Sequence, residues 1–362
     1  MAFIAVNNLE FILEVAIFLQ LAIILILNLF RITLSRILFF SLILGIGLTA
    51  LFSFDALALF IPFLGLHEFT HTYGPIVIMV IVTAWAALST MSEVGIQVAN
   101  VKRLVFLMII MITIVGTLVH RDFLILWMMG LFLGFFMISK SFRQKSFLSI
   151  KRVLAIVVAV VVGVTSLELL SRLLSMTVLS PVVRIERIFE NAIPSLKMVV
   201  YNTNLWGHTQ GSAYWNTTDT GSSSGYIALP ISLILTFGLP YQVFFGVLVT
   251  KKDIIDYFVP GIFGFAYDFG YIVLALLLIW CIFIIVLGMK ILSEYREKRE
   301  RGNKTLLGRE ALLIGSLAGF ASQAILGLFI INRAINGTAL VTFIFLSGLV
   351  LAHIILPKNT TK

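Results

Sequence analysis

The sequence predicts an all-α polytopic membrane protein with about nine transmembrane helices, the apolar runs being long enough to cross a bilayer. Only 12% of its 362 residues are charged, whereas 60% are hydrophobic. A soluble domain carries about 25% charged residues, so this chain has too few charges to cover a soluble surface. We therefore expect a multi-pass protein of the plasma membrane, with membrane lipids as the main surroundings.

The positions of the spans follow from the length that a helix needs to cross the hydrocarbon core, about 20 apolar residues. The expected spans are 11–30, 37–54, 75–91, 104–119, 122–139, 153–168, 263–289, 310–331 and 339–356.

The sides of the membrane follow from two strongly basic segments, 140–152 and 290–309. Lys and Arg concentrate in cytoplasmic loops, so both segments are expected inside the cell. Alternation then places the C-terminus in the cytoplasm and residues 169–262 outside. The basic residues behind the net charge of +9 flank the hydrophobic spans, where they orient the protein in the membrane and contact lipid headgroups. No nucleic acid partner is therefore expected.

The chain divides into three parts: an N-terminal bundle over 1–168, an extracytoplasmic segment over 169–262, and C-terminal helices over 263–362. Within the middle part, residues 226–249 are apolar but are broken by prolines and glycines. Such breaks need other protein to cover the freed backbone groups. We expect short re-entrant or interfacial helices there; the alternative is a true crossing.

A polar, turn-rich patch in the outer segment contains Trp206, His208, Tyr214 and Trp215 among Asn, Gln, Ser and Thr residues. Aromatic faces stack on sugar rings, and amides and hydroxyls match sugar hydroxyls, so this mixture predicts a carbohydrate site. The alternative for each Trp is an anchor at the membrane interface, where tryptophan is enriched. His208 is a candidate proton acceptor, and the alternative is a plain loop histidine.

Charged residues near the predicted outer boundary form a second set of candidates. Arg184 and Arg187 lie three residues apart, which places them on one face of a helix. Arginine suits phosphate because its planar group donates two parallel hydrogen bonds. The alternative is pairing with neighbouring glutamates or lipid headgroups. Arg333 lies in a short outer turn, where it either serves a site or extends to the membrane interface. Asp268 lies at the start of a span, where a carboxylate needs a partner or water.

An earlier outer loop contains His67, Glu68 and His71 in the H-E-x-x-H spacing of zinc proteases. Such a motif holds zinc when it lies on a helix and has a further acidic ligand. The sequence offers no clear further ligand, so no metal is expected. A metal-dependent protease stays open as a competing hypothesis.

The stretch 259–272, which reads V-P-G-I-F-G-F-A-Y-D-F-G-Y-I, resembles the end of the large outer loop in O-antigen polymerase-like proteins. Those proteins are oligosaccharide repeat-unit polymerases. The basic loop at 290–309 and the last two spans, joined by a turn that bears Arg333, are also similar. The resemblance extends over about residues 170–356 and departs from the family in having about nine spans rather than ten or more.

The resemblance implies glycosyl transfer from a polyprenyl diphosphate-linked glycan on the outer face, without a cofactor. Such a reaction needs cations that stabilise the departing diphosphate and a base that accepts the proton of the attacking hydroxyl. The resemblance and the residue chemistry together give His208, Asp268 and Arg333 as expected catalytic residues. Substrate binding is expected at Arg184, Arg187, Trp206, Tyr214 and Trp215.

Other functions remain open at this stage. The main alternative is a multi-pass transporter or flippase of lipid-linked or small solutes. The spans are nearly free of charged residues, which argues against ion coupling. A purely structural or assembly subunit is a further alternative, and it would be insensitive to changes at Arg184, Arg187 or Arg333.

Overall fold

The computed structural model is all-helical over the residues that it describes. These are the continuous segments 20–27, 32–58, 69–119, 121–139, 200–207, 261–325 and 337–354, together with scattered positions between 162 and 197. Seven helices have defined bounds in these parts of the chain, and residues 20–27 are helical as well. The helices are α1 Leu34–Ala58, α2 Phe69–Glu93, α3 Ala99–Val119, α4 Arg121–Ile138, α5 Gly261–Glu300, α6 Leu307–Ser322 and α7 Gly337–Leu351.

Within the described residues, four helices are long and apolar enough to cross a membrane: Leu34–Ser53, Tyr73–Glu93, Ala99–Gly116 and Phe269–Glu300. Two further apolar helices, Phe123–Ile138 and Val341–Leu351, are shorter. This bears out a helical membrane protein, whereas the expected nine spans are not confirmed. The expected span at 153–168 and the apolar stretch at 226–249 fall outside the continuous described segments.

Helix α2 is the central element among the long helices. In its apolar stretch 78% of the residues are buried, against 17% in the corresponding stretches of α1 and α5. Helix α6 packs along α2 and is itself buried on nearly all sides, with neighbours on α1, α4, α5 and α7. Most of its residues are apolar or small, and its charged residues Arg309 and Glu310 lie near its start, so α6 suits the interior position that it occupies.

Two glycines allow the close packing of α6 on α2. Gly315 and Gly319 lie four residues apart, so they share one face of α6, as in the G-x-x-x-G pattern of membrane helix pairs. A Cβ on Gly319 would lie 2.6 Å from the carbonyl oxygen of Pro75, and a Cβ on Gly315 would collide with the Thr83 hydroxyl. The backbones therefore approach at a distance that no larger residue permits.

Helix α5 is the longest element, with 40 residues and one kink at Gly270. It continues to Glu300, so the first half of the segment 290–309, expected as a loop, is helical. An ion pair of 2.5 Å between Glu297 and Arg301, one turn apart, supports the final turns. Charged residues in i,i+4 pairs favour helix beyond the apolar stretch, which explains why the helix does not end with it.

Several chain segments meet at the basic end of the bundle, where α5 ends and α6 begins. Arg296 donates a hydrogen bond to the carbonyl of Met137 at the end of α4. Arg309 donates one of 3.2 Å to the carbonyl of Leu27. Tyr295 reaches His353, just beyond α7. The predicted alternation of spans requires these ends to lie together; which side of the membrane they face stays a prediction.

Candidate functional site

The predicted site residues fall unevenly on the structure. Trp206 is described with its side chain, whereas Asp268 is described only by its position in α5. Likewise, His71 is described only as part of α2. The other candidates lie outside the described residues, namely Arg184, Arg187, His208, Tyr214, Trp215, Arg333, His67 and Glu68.

The structure joins two of the sequence segments that carried the functional prediction. Residues 204–207, the start of the polar patch, lie against α5 at its kink. The amide of Tyr271 donates a hydrogen bond of 3.2 Å to the carbonyl of Asn204, and the amide of Ile272 donates one of 3.4 Å to the carbonyl of Leu205. We name this contact between 204–207 and 270–272 the Gly270 junction.

Glycine is required where the two segments touch. Gly270 has φ 85° and ψ 166°, inside a stretch that is otherwise helical. A residue with a Cβ rarely adopts positive φ, whereas glycine does so freely. A Cβ at this position would also lie 2.5 Å from the amide nitrogen of Gly207 and 2.6 Å from the carbonyl carbon of Trp206. The backbone of 205–207 therefore occupies the space that a side chain would fill.

The same conformation releases backbone donors from the helix. At a kink the amides that follow lose their partners one turn back and need other acceptors. The carbonyls of Asn204 and Leu205 supply them. The Asn204 side chain also accepts a hydrogen bond of 3.0 Å from the amide of Trp206. This is a turn that an asparagine side chain commonly closes. The junction is thus held almost wholly by backbone groups.

The aromatic side chains at the junction remain open to the surroundings. Tyr201 is 88% exposed and Trp206 is 81% exposed. The hydroxyl of Tyr271 donates a hydrogen bond of 3.3 Å to the carbonyl of Val200, which ties the start of this segment to α5. The backbone is therefore fixed, while the two aromatic faces stay available for an external group.

The depth of the junction follows from the length of α5. Residues 270–290 of α5 extend about 30 Å at 1.5 Å per residue, which matches the hydrocarbon core of a bilayer. Gly270 and Lys290 are the two ends of this stretch. The stretch from Gly270 to Lys290 is therefore long enough to cross that core, and the junction lies at its first turn.

A buried ionic cluster occupies the opposite end of α5. The carboxylate of Glu310 lies 3.2 Å from Nη1 of Arg299 and 3.6 Å from Nε of Arg296. Glu310 is only 4% exposed. Beside it lies a cavity of about 10 Å³, bordered in part by Thr90 and Glu93, which is room for about one water molecule. A buried charge needs such partners, so the cluster joins α5 to α6.

A second polar contact lies beside this cluster. The Tyr295 hydroxyl lies 3.1 Å from Nδ1 of His353, and both side chains are buried. The other ring nitrogen of His353 has no hydrogen-bond partner among the parts of the chain that the structure describes. These groups lie far from the Gly270 junction along α5. They tie α5 to the end of α7 and do not contribute to the junction.

The sequence patterns did not indicate the roles of Gly270 or Glu310. They predicted Arg296 and Arg299 to be loop charges that set orientation, whereas the structure pairs them with Glu310. A usable signal was present, because Glu310 is an acid at the start of a long apolar run and needs a nearby cation. No such signal marks Gly270, since glycine is common in membrane helices.

Metal chemistry receives no support from the described segments. They contain no group of three or more His, Cys, Asp or Glu side chains that could hold a metal ion. Two members of the H-E-x-x-H spacing fall outside these segments, so the motif itself stays untested. Comparison with protein-family models, with curated proteins and with solved structures found no match to this chain.

Proposed function

We propose that the chain is a membrane glycosyltransferase that polymerises or transfers polyprenyl diphosphate-linked oligosaccharide units on the outer face of the membrane. The observation that carries the proposal is the Gly270 junction. It brings the start of the polar, aromatic patch to the stretch that resembles O-antigen polymerase-like proteins. Two separate predictions from sequence thus concern one place on the molecule.

The position of the junction suits a lipid-linked substrate. A polyprenyl chain lies in the hydrocarbon core, and its diphosphate and sugar lie at the boundary with water. We place the junction at that boundary, because residues 270–290 of α5 extend about 30 Å, the thickness of the hydrocarbon core. The exposed faces of Trp206 and Tyr201 are then at the level of the sugar, where an aromatic ring offers an apolar surface with a polar edge.

The reaction that we propose has a simple balance. The hydroxyl oxygen of an acceptor sugar attacks the anomeric carbon of the donor glycan. The bond from that carbon to the diphosphate oxygen breaks, and a new glycosidic bond forms. The hydroxyl proton passes to a base, for which His208 and Asp268 are the candidates. The polyprenyl diphosphate leaves with the electron pair of the broken bond, and Arg333 is the candidate that stabilises its charge.

The test compares glycan chain length on lipid carriers in cells that express wild type or Arg333→Ala at matched membrane levels. We expect Arg333→Ala to lose long chains and to accumulate single lipid-linked units, because the leaving group loses its counter-charge. Lys298→Ala, a change at the basic end, serves as the matched control and should keep the ladder. An unchanged ladder in a full deletion would remove the polymerase proposal.

A second comparison addresses the junction itself. Trp206→Ala removes the exposed aromatic face, whereas Trp206→Phe keeps a face of similar kind. We expect shortened chains with Trp206→Ala and nearly normal chains with Trp206→Phe. Equal loss in both variants would mean that the indole N–H or the size of the ring matters, and no loss in either would leave Trp206 as an interfacial anchor.

A further inference from the structure

The apolar surface of α5 contains a recess near its basic end. The recess has a volume of about 390 Å³ and is lined by Ile279, Ile282, Phe283, Val286, Leu287 and Lys290. All of these residues belong to one helix, and most of their side chains are exposed. Lys290 is the only charged residue among them and lies at the end nearest the basic cluster.

The length of the recess matches one leaflet of a bilayer. From residue 279 to residue 290 the helix rises about 16 Å. Half of a hydrocarbon core of about 30 Å is about 15 Å. With Lys290 placed at the membrane boundary, the recess would run from the bilayer midplane to that boundary, which is the extent of one acyl chain of a phospholipid in that leaflet.

The charge at the boundary end favours an anionic headgroup. Lys290 ends the apolar stretch of α5, so its ammonium group lies at the depth of lipid phosphates. No described acidic side chain lies within ion-pair distance of it. Glu294 is one turn further along α5 and makes the site less positive. An apolar surface suits the acyl chain of a phospholipid, and a lysine at its end suits the lipid's phosphate.

We propose that this recess binds an anionic phospholipid of the leaflet at the basic end, with one acyl chain along Ile279–Leu287 and the phosphate at Lys290. The site is separate from the Gly270 junction, and the proposal does not depend on the glycosyltransferase activity. Occupation would support the outward face of α5, which has little protein cover in the described part of the chain.

The test measures lipid retained by the full-length protein, purified in detergent, with native mass spectrometry. Phosphatidylglycerol and phosphatidylcholine with identical acyl chains are titrated separately. We expect wild type to retain phosphatidylglycerol more strongly. Lys290→Gln should weaken that retention about fivefold, the effect of one basic residue at an anionic surface. Glu294→Gln should preserve or strengthen it.

Lys298→Gln is the matched control, since Lys298 lies on the same helix beyond the boundary and should change retention little. Ile282→Trp fills the recess and should reduce retention of both lipids, whereas Leu107→Trp on the exposed face of α3 should not. Equal retention of the two lipids by wild type, or equal loss in Lys290→Gln and Lys298→Gln, would overturn the proposal.

The same experiment distinguishes the phospholipid from two other possible occupants of the recess. A second copy of the chain would appear as a dimer mass that Ile282→Trp abolishes, with no preference between lipids. A polyprenyl phosphate that displaces phosphatidylglycerol from wild type at lower concentration would identify the recess as a site for the substrate tail. Either result would overturn the phospholipid assignment.

Discussion

The two ends of helix α5 are attached to the rest of the protein by different chemistry. At Gly270 the contact consists of backbone groups, and the aromatic side chains stay exposed. At the basic end the contact consists of side chains, with Glu310 buried between Arg296 and Arg299. At the Gly270 end, the aromatic side chains therefore remain available to an external ligand. At the basic end, the charged side chains pair with one another and hold the helices together.

This difference separates residues that serve stability from residues that serve binding. Losing a buried ionic partner leaves uncompensated charge in the bundle, which is costly. Losing an exposed aromatic side chain leaves the fold nearly untouched. The single cysteine gives a common readout for both ends. Because Cys281 is 5% exposed, we expect it to react with a thiol reagent only after the bundle opens.

The largest effect is expected from Glu310→Ala. The change leaves Arg296 and Arg299 facing each other without their shared carboxylate, which should cost about 3 kcal/mol or more. The measurement is the temperature at which Cys281 becomes reactive in detergent. Glu297→Ala is the control, since Glu297 pairs with Arg301 at an exposed site and should cost less than about 1 kcal/mol. Equal losses would show that the buried pairs do not hold the basic end.

A smaller effect is expected from Gly270→Ala, which breaks the opposite end. The added methyl group meets the backbone of 205–207 and displaces it from α5, and the positive φ adds strain of about 1–3 kcal/mol. Gly95→Ala is a close control, because Gly95 has the same φ of 85° with nothing within 4 Å. Hydrogen exchange at the amides of Tyr271 and Ile272 should accelerate in Gly270→Ala alone. Equal exchange in the two variants would argue against the junction.

A difference of about 1 kcal/mol is expected between two tyrosine changes. Tyr295→Phe removes a buried hydroxyl from His353, whereas Tyr271→Phe removes an exposed one from Val200. A buried polar group left without its partner costs about 1–3 kcal/mol, and an exposed one is satisfied by water. Reactivity of Cys281 against temperature gives the comparison. A larger loss in Tyr271→Phe would reverse the assignment of roles to the two ends.

The smallest effect on stability is expected from Trp206→Ala. Because its side chain is 81% exposed, the change should shift stability by less than about 0.5 kcal/mol. Trp127→Ala is the contrast, since Trp127 is fully buried and donates a hydrogen bond of 2.9 Å to Thr113. A marked loss in Trp206→Ala would mean that Trp206 packs against other protein, which would remove it as a ligand surface.

The helical class and the positions of four spans were predictable because apolar runs alone determine them. The expected spans at 75–91 and 104–119 fall inside α2 and α3. The extension of α5 to Glu300 was missed because local ion pairs, and not hydropathy, support its last turns. Burial of Glu310 was missed since hydropathy does not report which helices face each other.

The candidate site was predictable only in part. The polar patch and the stretch 259–272 were both selected from composition and resemblance, and their contact at Gly270 required three dimensions. Backbone hydrogen bonds between distant segments leave almost no mark on side-chain patterns. The roles of the arginines and of His208 stay predictions, because those residues lie outside the segments that the structure describes.

The central position of α6 has a consequence for the biosynthesis of the protein. Helix α6 begins at Leu307, whereas its main neighbour α2 ends at Glu93. Ribosomes add about 5–20 residues per second, so roughly 10–40 s pass between the synthesis of α2 and that of α6. During that interval Pro75 and Thr83 lack the cover that Gly319 and Gly315 of α6 give them in the folded protein. With 16 residues and buried charges near its start, α6 then has to enter a bundle whose earlier helices are already in the membrane.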